Sequence, residues 1–206
     1  MITTLIFDWG GVLTRGKHTD GITRILERKF KTPEGEDKNN RERVAKLVDM
    51  IDYKGSSFHE FVEEVNNEFN INATVEEMTT IFSEAIIPNT EAIEFLNYLK
   101  QKGKYKIVLL SDNNETTIKI IKTFHKDMLL SFEKTYFSCE VKMHKPESRF
   151  FEYVLADLNL KPEECVFIDD QEKNTKAAAS LGIKSIIFKD LEQVKNELNT
   201  LHIDLS

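Results

Sequence analysis

The spacing of apolar residues changes period twice along the chain. The stretch Ile2-Thr3-Thr4-Leu5-Ile6-Phe7 is largely apolar and stops at Asp8-Trp9-Gly10-Gly11. A short apolar run of this kind suits a strand buried on both faces of a parallel sheet. From about residue 16 the period becomes helical. Ile22, Ile25, Leu26 and Phe30 form one stripe, followed by a polar loop over Thr32–Asp37. Val44, Leu47, Val48 and Ile51 form a second stripe, and Phe58, Phe61, Val62, Val65 and Phe69 a third. Thr74-Val75-Glu76-Glu77 reads as a capping box, opening a fourth stripe of Met78, Ile81, Phe82, Ala85 and Ile86 that Pro88 ends. Each stripe can bury one face against its neighbours, so the pattern predicts an all-α insertion over 16–87.

A helix from Thr90 to a stop at Gly103 follows. Strands and helices then alternate: a strand over 105–111, a helix over 114–124, a short weak strand at 135–137 and a helix opened by Pro146. A strand over 165–169, an alanine-rich helix ending at Gly182, a strand over 184–188 and a helix over 191–200 complete the series. Repeated βα units imply a parallel sheet covered by helices on both faces. The predicted fold is α/β, a Rossmann-like three-layer core built from 1–15 and 88–206, interrupted after its first strand by the helices of 16–87.

Composition narrows the function. The net charge of -7 argues against a nucleic-acid binder, which needs a basic surface. Cys139 and Cys165 lack metal-ligand spacing and read as small core residues rather than a disulfide or zinc site. No apolar run is long enough to span a bilayer and no leader is evident, so a cytoplasmic protein without membrane partners is expected.

The chemistry lies where the predicted strands stop. Asp8, Ser111 and the pair Asp169-Asp170 each end a separate strand, and Lys145 stands before Pro146. Taken singly, each could be a strand-end cap or a surface charge. In a parallel sheet, however, the strand ends share one edge, where ligands bind in open α/β folds. Converging carboxylates call for a cation, and hard oxygen ligands select Mg²⁺. A lysine, a hydroxyl and backbone N–H groups beside them would suit a phosphoryl group.

The segments Asp8-Trp9-Gly10-Gly11-Val12-Leu13, Leu110-Ser111-Asp112-Asn113, Lys145-Pro146 and Phe167-Ile168-Asp169-Asp170 through Asn174 resemble the four ordered motifs of the haloacid dehalogenase superfamily. The helices of 16–87 resemble that family's inserted cap. The resemblance implies a Mg²⁺-dependent phosphatase acting on a small phosphorylated metabolite, such as a sugar phosphate. Asp8 would be the nucleophile that forms an aspartyl-phosphate. Asp8, the Gly10 carbonyl and Asp170 would hold the metal. Ser111, Lys145 and the backbone N–H groups of Trp9, Gly10 and Asp112 would bind the phosphoryl group. Asp169 would orient Lys145 or a metal-bound water, with Asn174 in support.

Two residues depart from the family pattern. Phosphatases of this kind usually carry a second Asp, as general acid and base, where this chain has Gly10. Activated leaving groups, as in anomeric or acyl phosphates, would suffer least from its loss. Asp112 stands where Asn is usual, placing a negative charge beside a phosphate unless it points outward or replaces the missing acid. A 2-haloacid dehalogenase and a non-catalytic phosphate-binding domain are therefore alternative readings. Arg15, Lys17 and His18 form a basic cluster that could greet an anionic substrate, and His144, beside Lys145, could contact it.

Overall fold

In the computed structural model, residues 1–16, 18–30, 37–53 and 56–205 are described. The elements run β1 (Thr4–Phe7), α1 (His18–Phe30), α2 (Asp37–Tyr53), α3 (Phe58–Phe69), α4 (Val75–Ala85), α5 (Thr90–Lys102) and β2 (Lys106–Ser111). Then follow α6 (Glu115–Phe124), β3 (Lys134–Phe137), α7 (Ser138–Val141), α8 (Ser148–Leu158), β4 (Cys165–Asp169), α9 (Glu172–Ser180), β5 (Lys184–Ile187) and α10 (Leu191–Thr200). Two compact units result, one of residues 1–15, 88–113 and 127–206, the other of 16–87 and 114–126.

The first unit is the α/β core. Its five strands are all parallel, in the order β3-β2-β1-β4-β5. The first strand of the sequence is therefore the central one, and all four of its residues are buried. The strand order reverses beside β1, and crevices at such switch points are where α/β sheets bind ligands. One apolar layer joins Ile6, Val108, Leu110 and Phe167 of the strands to Phe150, Phe151 and Val154 of α8. Gly103 closes α5 in the left-handed conformation (φ 64°), which a glycine adopts without a Cβ penalty.

Among the described residues, the second unit is built of helices. Ser57 with Glu60, and Thr74 with Glu77, form reciprocal capping boxes that start α3 and α4. Phe82 meets Phe58 and Phe61 edge-on, with ring centroids 5.1 and 5.2 Å away. Helix α1 packs on α4 through Gly21, where a Cβ would come within 2.9 Å of the Ala85 carbonyl oxygen. The unit also takes in α6, whose periodicity alone gave no reason to separate it from the sheet. His125, just past α6, has its Nε2 3.0 Å from the Ser83 carbonyl oxygen at the end of α4.

Several boundaries differ from the pattern-based reading. The loop anticipated over Thr32–Asp37 lies outside the described residues except for Asp37, which opens α2. Pro146 sits in a turn with a cis peptide bond to Lys145, and α8 starts two residues later. The one-turn helix α7 is too short for apolar periodicity to reveal. Among the described residues, no helix is long and apolar enough to cross a membrane.

Candidate active site

The register of the sheet builds the site. Phe7 pairs with Ile168, and the Asp8 N–H donates to the Ile168 carbonyl at 2.9 Å, so the residues ending β1 and β4 become neighbours. On the other side of β1, β2 ends at Ser111. The loop after β1 folds back at once, with the Leu13 N–H on the Trp9 carbonyl at 2.9 Å. Asn89 anchors that loop from a distance. Its side chain donates to the Val12 carbonyl at 2.9 Å and its backbone N–H to that of Leu13 at 2.8 Å. Asn89 and Val12 are 77 positions apart, so the sequence carries no local signal for this contact.

At the centre lies a buried ammonium between two carboxylates. Lys145 Nζ is 2.7 Å from Asp8 Oδ1 and 2.7 Å from Asp169 Oδ2. The three residues are 4%, 4% and 0% exposed, in the order Lys145, Asp8, Asp169, so water screens these charges little. Both oxygens of Asp169 are engaged. Asn174 Nδ2 donates to them at 3.1 and 3.0 Å, and the Gln171 N–H adds a bond of 2.7 Å to Oδ1. The other amide atom of Asn174, Oδ1, is buried without a hydrogen-bond partner.

Burial pushes the Asp8 carboxyl up to about 7, opposed by the Lys145 charge and reinforced by Asp169. For Lys145, burial favours the neutral amine, but the charges of Asp8, Asp169 and Asp112 outweigh it and hold the ammonium above its usual range. Proximity to both carboxylates thus fixes the lysine as the cation of the cluster. Partial desolvation also raises the Asp112 and Asp170 carboxyls, although both residues still reach solvent, with Asp169 adding to both shifts and Lys145 opposing both.

Asp170 belongs to the cluster without sharing the lysine. One carboxylate oxygen each of Asp8, Asp169 and Asp170 lies within 4.8 Å of the others, a spacing that could hold a metal ion. Asp170 is exposed, whereas the oxygens of Asp169 are already occupied. Gly11 makes room for it. At φ 71° its backbone passes so close to Asp170 that a Cβ would come 2.4 Å from Oδ2. An all-oxygen donor set suits a hard divalent cation such as Mg²⁺.

Ser111 is buried and its Oγ accepts from Asn113 Nδ2 at 2.7 Å. Asn113 is tied in turn to α7, its N–H donating to Ser138 Oγ at 3.1 Å. Ser138 therefore supports the loop, a role its place in the sequence did not signal. Asp112 is exposed, in line with the expectation that it points outward. Its Oδ1 accepts the Lys145 backbone N–H at 3.1 Å, linking the β2 loop to the Lys145 loop. Trp9 is buried and Gly10 exposed. His144 pairs with Glu147 at 2.8 Å, and Arg15 with Glu91 at 3.4 Å. Lys17 and the His18 side chain lie outside the described residues. Cys165 is buried as expected of a core residue, while Cys139 is half-buried.

Comparison with known proteins follows the same lines. A family model described as haloacid dehalogenase-like hydrolase matches residues 2–182. A phosphorylated carbohydrates phosphatase of Thermotoga maritima is 27% identical over 191 residues, covering 88% of this chain and 82% of that protein. A drimenol cyclase of Aspergillus calidoustus is 32% identical over 120 residues, 57% of this chain. The chain spans only 22% of that cyclase and 23% of the rat bifunctional epoxide hydrolase 2 that it also matches. Among solved structures, the HAD family enzyme bt-2542 of Bacteroides thetaiotaomicron aligns with a TM-score of 0.69 and 27% identity, covering 91% of this chain and 94% of that one. The same enzyme in complex with magnesium and inorganic phosphate aligns with a TM-score of 0.67, covering 94% and 99%.

Proposed function

Because the chain belongs to the haloacid dehalogenase-like hydrolases, we propose that its ion-paired carboxylate site is that of a phosphatase acting on a small phosphorylated metabolite. The observation that carries this reading is the buried Asp8–Lys145–Asp169 arrangement with Asp170 at its side. The phosphatase and the magnesium–phosphate complex among its relatives support it. The helical unit takes the part of the cap, selecting small substrates.

Asp8 is the nucleophile. Its carboxylate oxygen attacks phosphorus, forming an aspartyl-phosphate that water later opens, so one difficult hydrolysis becomes two easier steps. Lys145 keeps the attacking carboxylate fixed and offers positive charge to the transferring group. Asp169, held by Asn174 and the Gln171 N–H, positions Lys145 rather than reacting. The Ser111 hydroxyl, with its acceptor side already taken by Asn113, is left to donate to a phosphoryl oxygen. The backbone N–H groups of Trp9, Gly10 and Asp112 are assigned to the same group. Asp8, Asp170 and the Gly10 carbonyl are the residues that would hold Mg²⁺, which when bound supplies charge for the phosphoryl oxygens.

The test is phosphate release from p-nitrophenyl phosphate with Mg²⁺ and with EDTA, beside halide release from a 2-haloacid. Mg²⁺-dependent phosphate release is expected, with no halide. Asp8→Asn is expected to abolish turnover without loss of fold, since an amide cannot serve as the nucleophile. Halide release, or substantial turnover by the Asn variant, would overturn the proposal.

A further inference from the structure

Ser111 and Phe137 are register partners where β2 and β3 end together. Asn113 and Ser138, a residue or two further on, therefore leave the sheet side by side although they are 25 positions apart. A single hydroxyl holds the Asn113 backbone at two points. Ser138 Oγ accepts the Asn113 N–H at 3.1 Å and donates to the Asn113 carbonyl at 3.2 Å. The Asn113 side chain then turns back on Ser111, its Nδ2 lying 2.7 Å from Oγ. The Ser138 carbonyl is used as well, accepting the Met143 N–H at 3.2 Å where the chain leads to Lys145. One residue of α7 thus joins the loop that carries Ser111 to the loop that carries Lys145.

A serine hydroxyl has one proton and two acceptor lone pairs, and it rotates to suit its neighbours. An amide N–H fixed against Oγ fills one acceptor site and leaves the proton to be donated elsewhere. It also strengthens that donation, because a hydroxyl that accepts a hydrogen bond is polarised as a donor. Ser111 is 1% exposed, so bulk water competes little with this arrangement. On the premise of the phosphatase reading, we infer that Asn113 and Ser138 are positioning residues for the phosphoryl group. Ser138 fixes the Asn113 backbone, and Asn113 holds the Ser111 hydroxyl as a donor to a phosphoryl oxygen. Both act through Ser111 rather than on the substrate.

The experiment is a double-mutant cycle on kcat/KM for p-nitrophenyl phosphate with Mg²⁺ present. It uses Ser111→Ala, Asn113→Ala and the two combined, with urea unfolding of each. Ser111→Ala is expected to lose about 100-fold or more, as for other donors to a developing charge. Asn113→Ala is expected to lose about tenfold, the upper end of one net hydrogen bond. Combined, they are expected to lose no more than Ser111→Ala alone, within about twofold, because residues that act as a unit are not additive. A combined loss near the product, about 1,000-fold, would overturn the inference while leaving the phosphatase reading intact, since Asn113 would then act independently of the hydroxyl. A smaller loss for Ser111→Ala than for Asn113→Ala would overturn it too. A merely structural defect would appear equally in both backgrounds and in the urea midpoint. Ser138→Ala is expected to lose about three- to tenfold in the natural background and under about twofold beside Ser111→Ala. Ser138→Thr, which keeps the hydroxyl, is expected to restore most of that loss. Equal losses for Ser138→Ala in the two backgrounds would overturn the part given to Ser138. The Asn113 cycle decides the inference even if Ser138→Ala does not fold. Absence of phosphate release by the natural chain would end the reading and the inference together.

Discussion

Adjacent carboxylates in the sequence do different work here because β4 ends between them. Asp169 is the last strand residue, fully buried, with hydrogen bonds or an ion pair on both oxygens. Asp170 has left the sheet and is accessible to a cation beside Asp8. The two alanine variants should therefore fail differently. Asp170→Ala should weaken Mg²⁺ binding by more than about 100-fold, above the 10–100-fold typical of a supporting residue, with little change in unfolding stability. Asp169→Ala leaves the Lys145 ammonium with one partner and strips Asn174 of its acceptors, and breaking such a buried pair costs about 3–5 kcal/mol. Calorimetric Mg²⁺ titration together with urea unfolding checks both. A larger loss of affinity for Asp169→Ala, or equal losses of stability, would reverse the two roles.

Among the elements, glycine's effect in a helix depends on what the helix faces. Gly21 lies inside α1, where alanine would ordinarily add about 1 kcal/mol of helix stability. The close approach of α4 opposes that gain, since a Cβ would come within 2.9 Å of both the Ala85 Cβ and its carbonyl oxygen. Backbone cannot swing aside as the end of a long side chain can. Gly21→Ala is accordingly expected to destabilise the protein, by about 1–3 kcal/mol as for other overpacked contacts. An unchanged or raised urea midpoint would show that α1 and α4 can separate without penalty. The same contrast between local and distant information explains what could be read without coordinates. β1 and β4 were visible as apolar runs ending in Asp, and the stripes of α3 and α4 as helical periods, α4 with its capping box; the box that starts α3 was not read from the sequence. The order of the strands followed from βα alternation only as far as a parallel sheet. Asn89 on the Val12 carbonyl, Ser138 on Asn113 and the grouping of α6 with the helical unit are contacts across long separations. No local pattern records them. Lys145 was recognisable from its Pro146 neighbour, but its shared position between two buried carboxylates required the fold.

For the molecule as a whole, the site concentrates negative charge in a chain whose net charge is already -7. Lys145 is the cation that lets Asp8 and Asp169 be buried together, and the Asp8 carboxyl is nonetheless pushed up to about 7 by burial. The geometry of the proposed site and global stability are thereby linked through one side chain. Lys145→Met keeps the apolar stem but removes the charge, leaving two buried carboxylates without their shared partner. In EDTA the variant is expected to lose about 3–5 kcal/mol of unfolding stability, the usual cost of an uncompensated buried charge. A ligand that binds only the folded chain adds about 2.7 kcal/mol when present at 100 times its dissociation constant. On the proposed assignment Mg²⁺ would bring positive charge to the Asp8–Asp170 side of the same cluster, and it should then stabilise Lys145→Met more than it stabilises the natural protein. Turnover should stay low at every Mg²⁺ concentration, because the ion does not take the place of the ammonium between Asp8 and Asp169. Urea unfolding of both proteins in EDTA and in saturating Mg²⁺, with activity measured on the same samples, separates the two effects. Equal stabilisation by Mg²⁺ would mean that the lysine and the metal act on independent parts of the site. Recovery of turnover in excess Mg²⁺ would mean that Lys145 serves only to hold the carboxylates together.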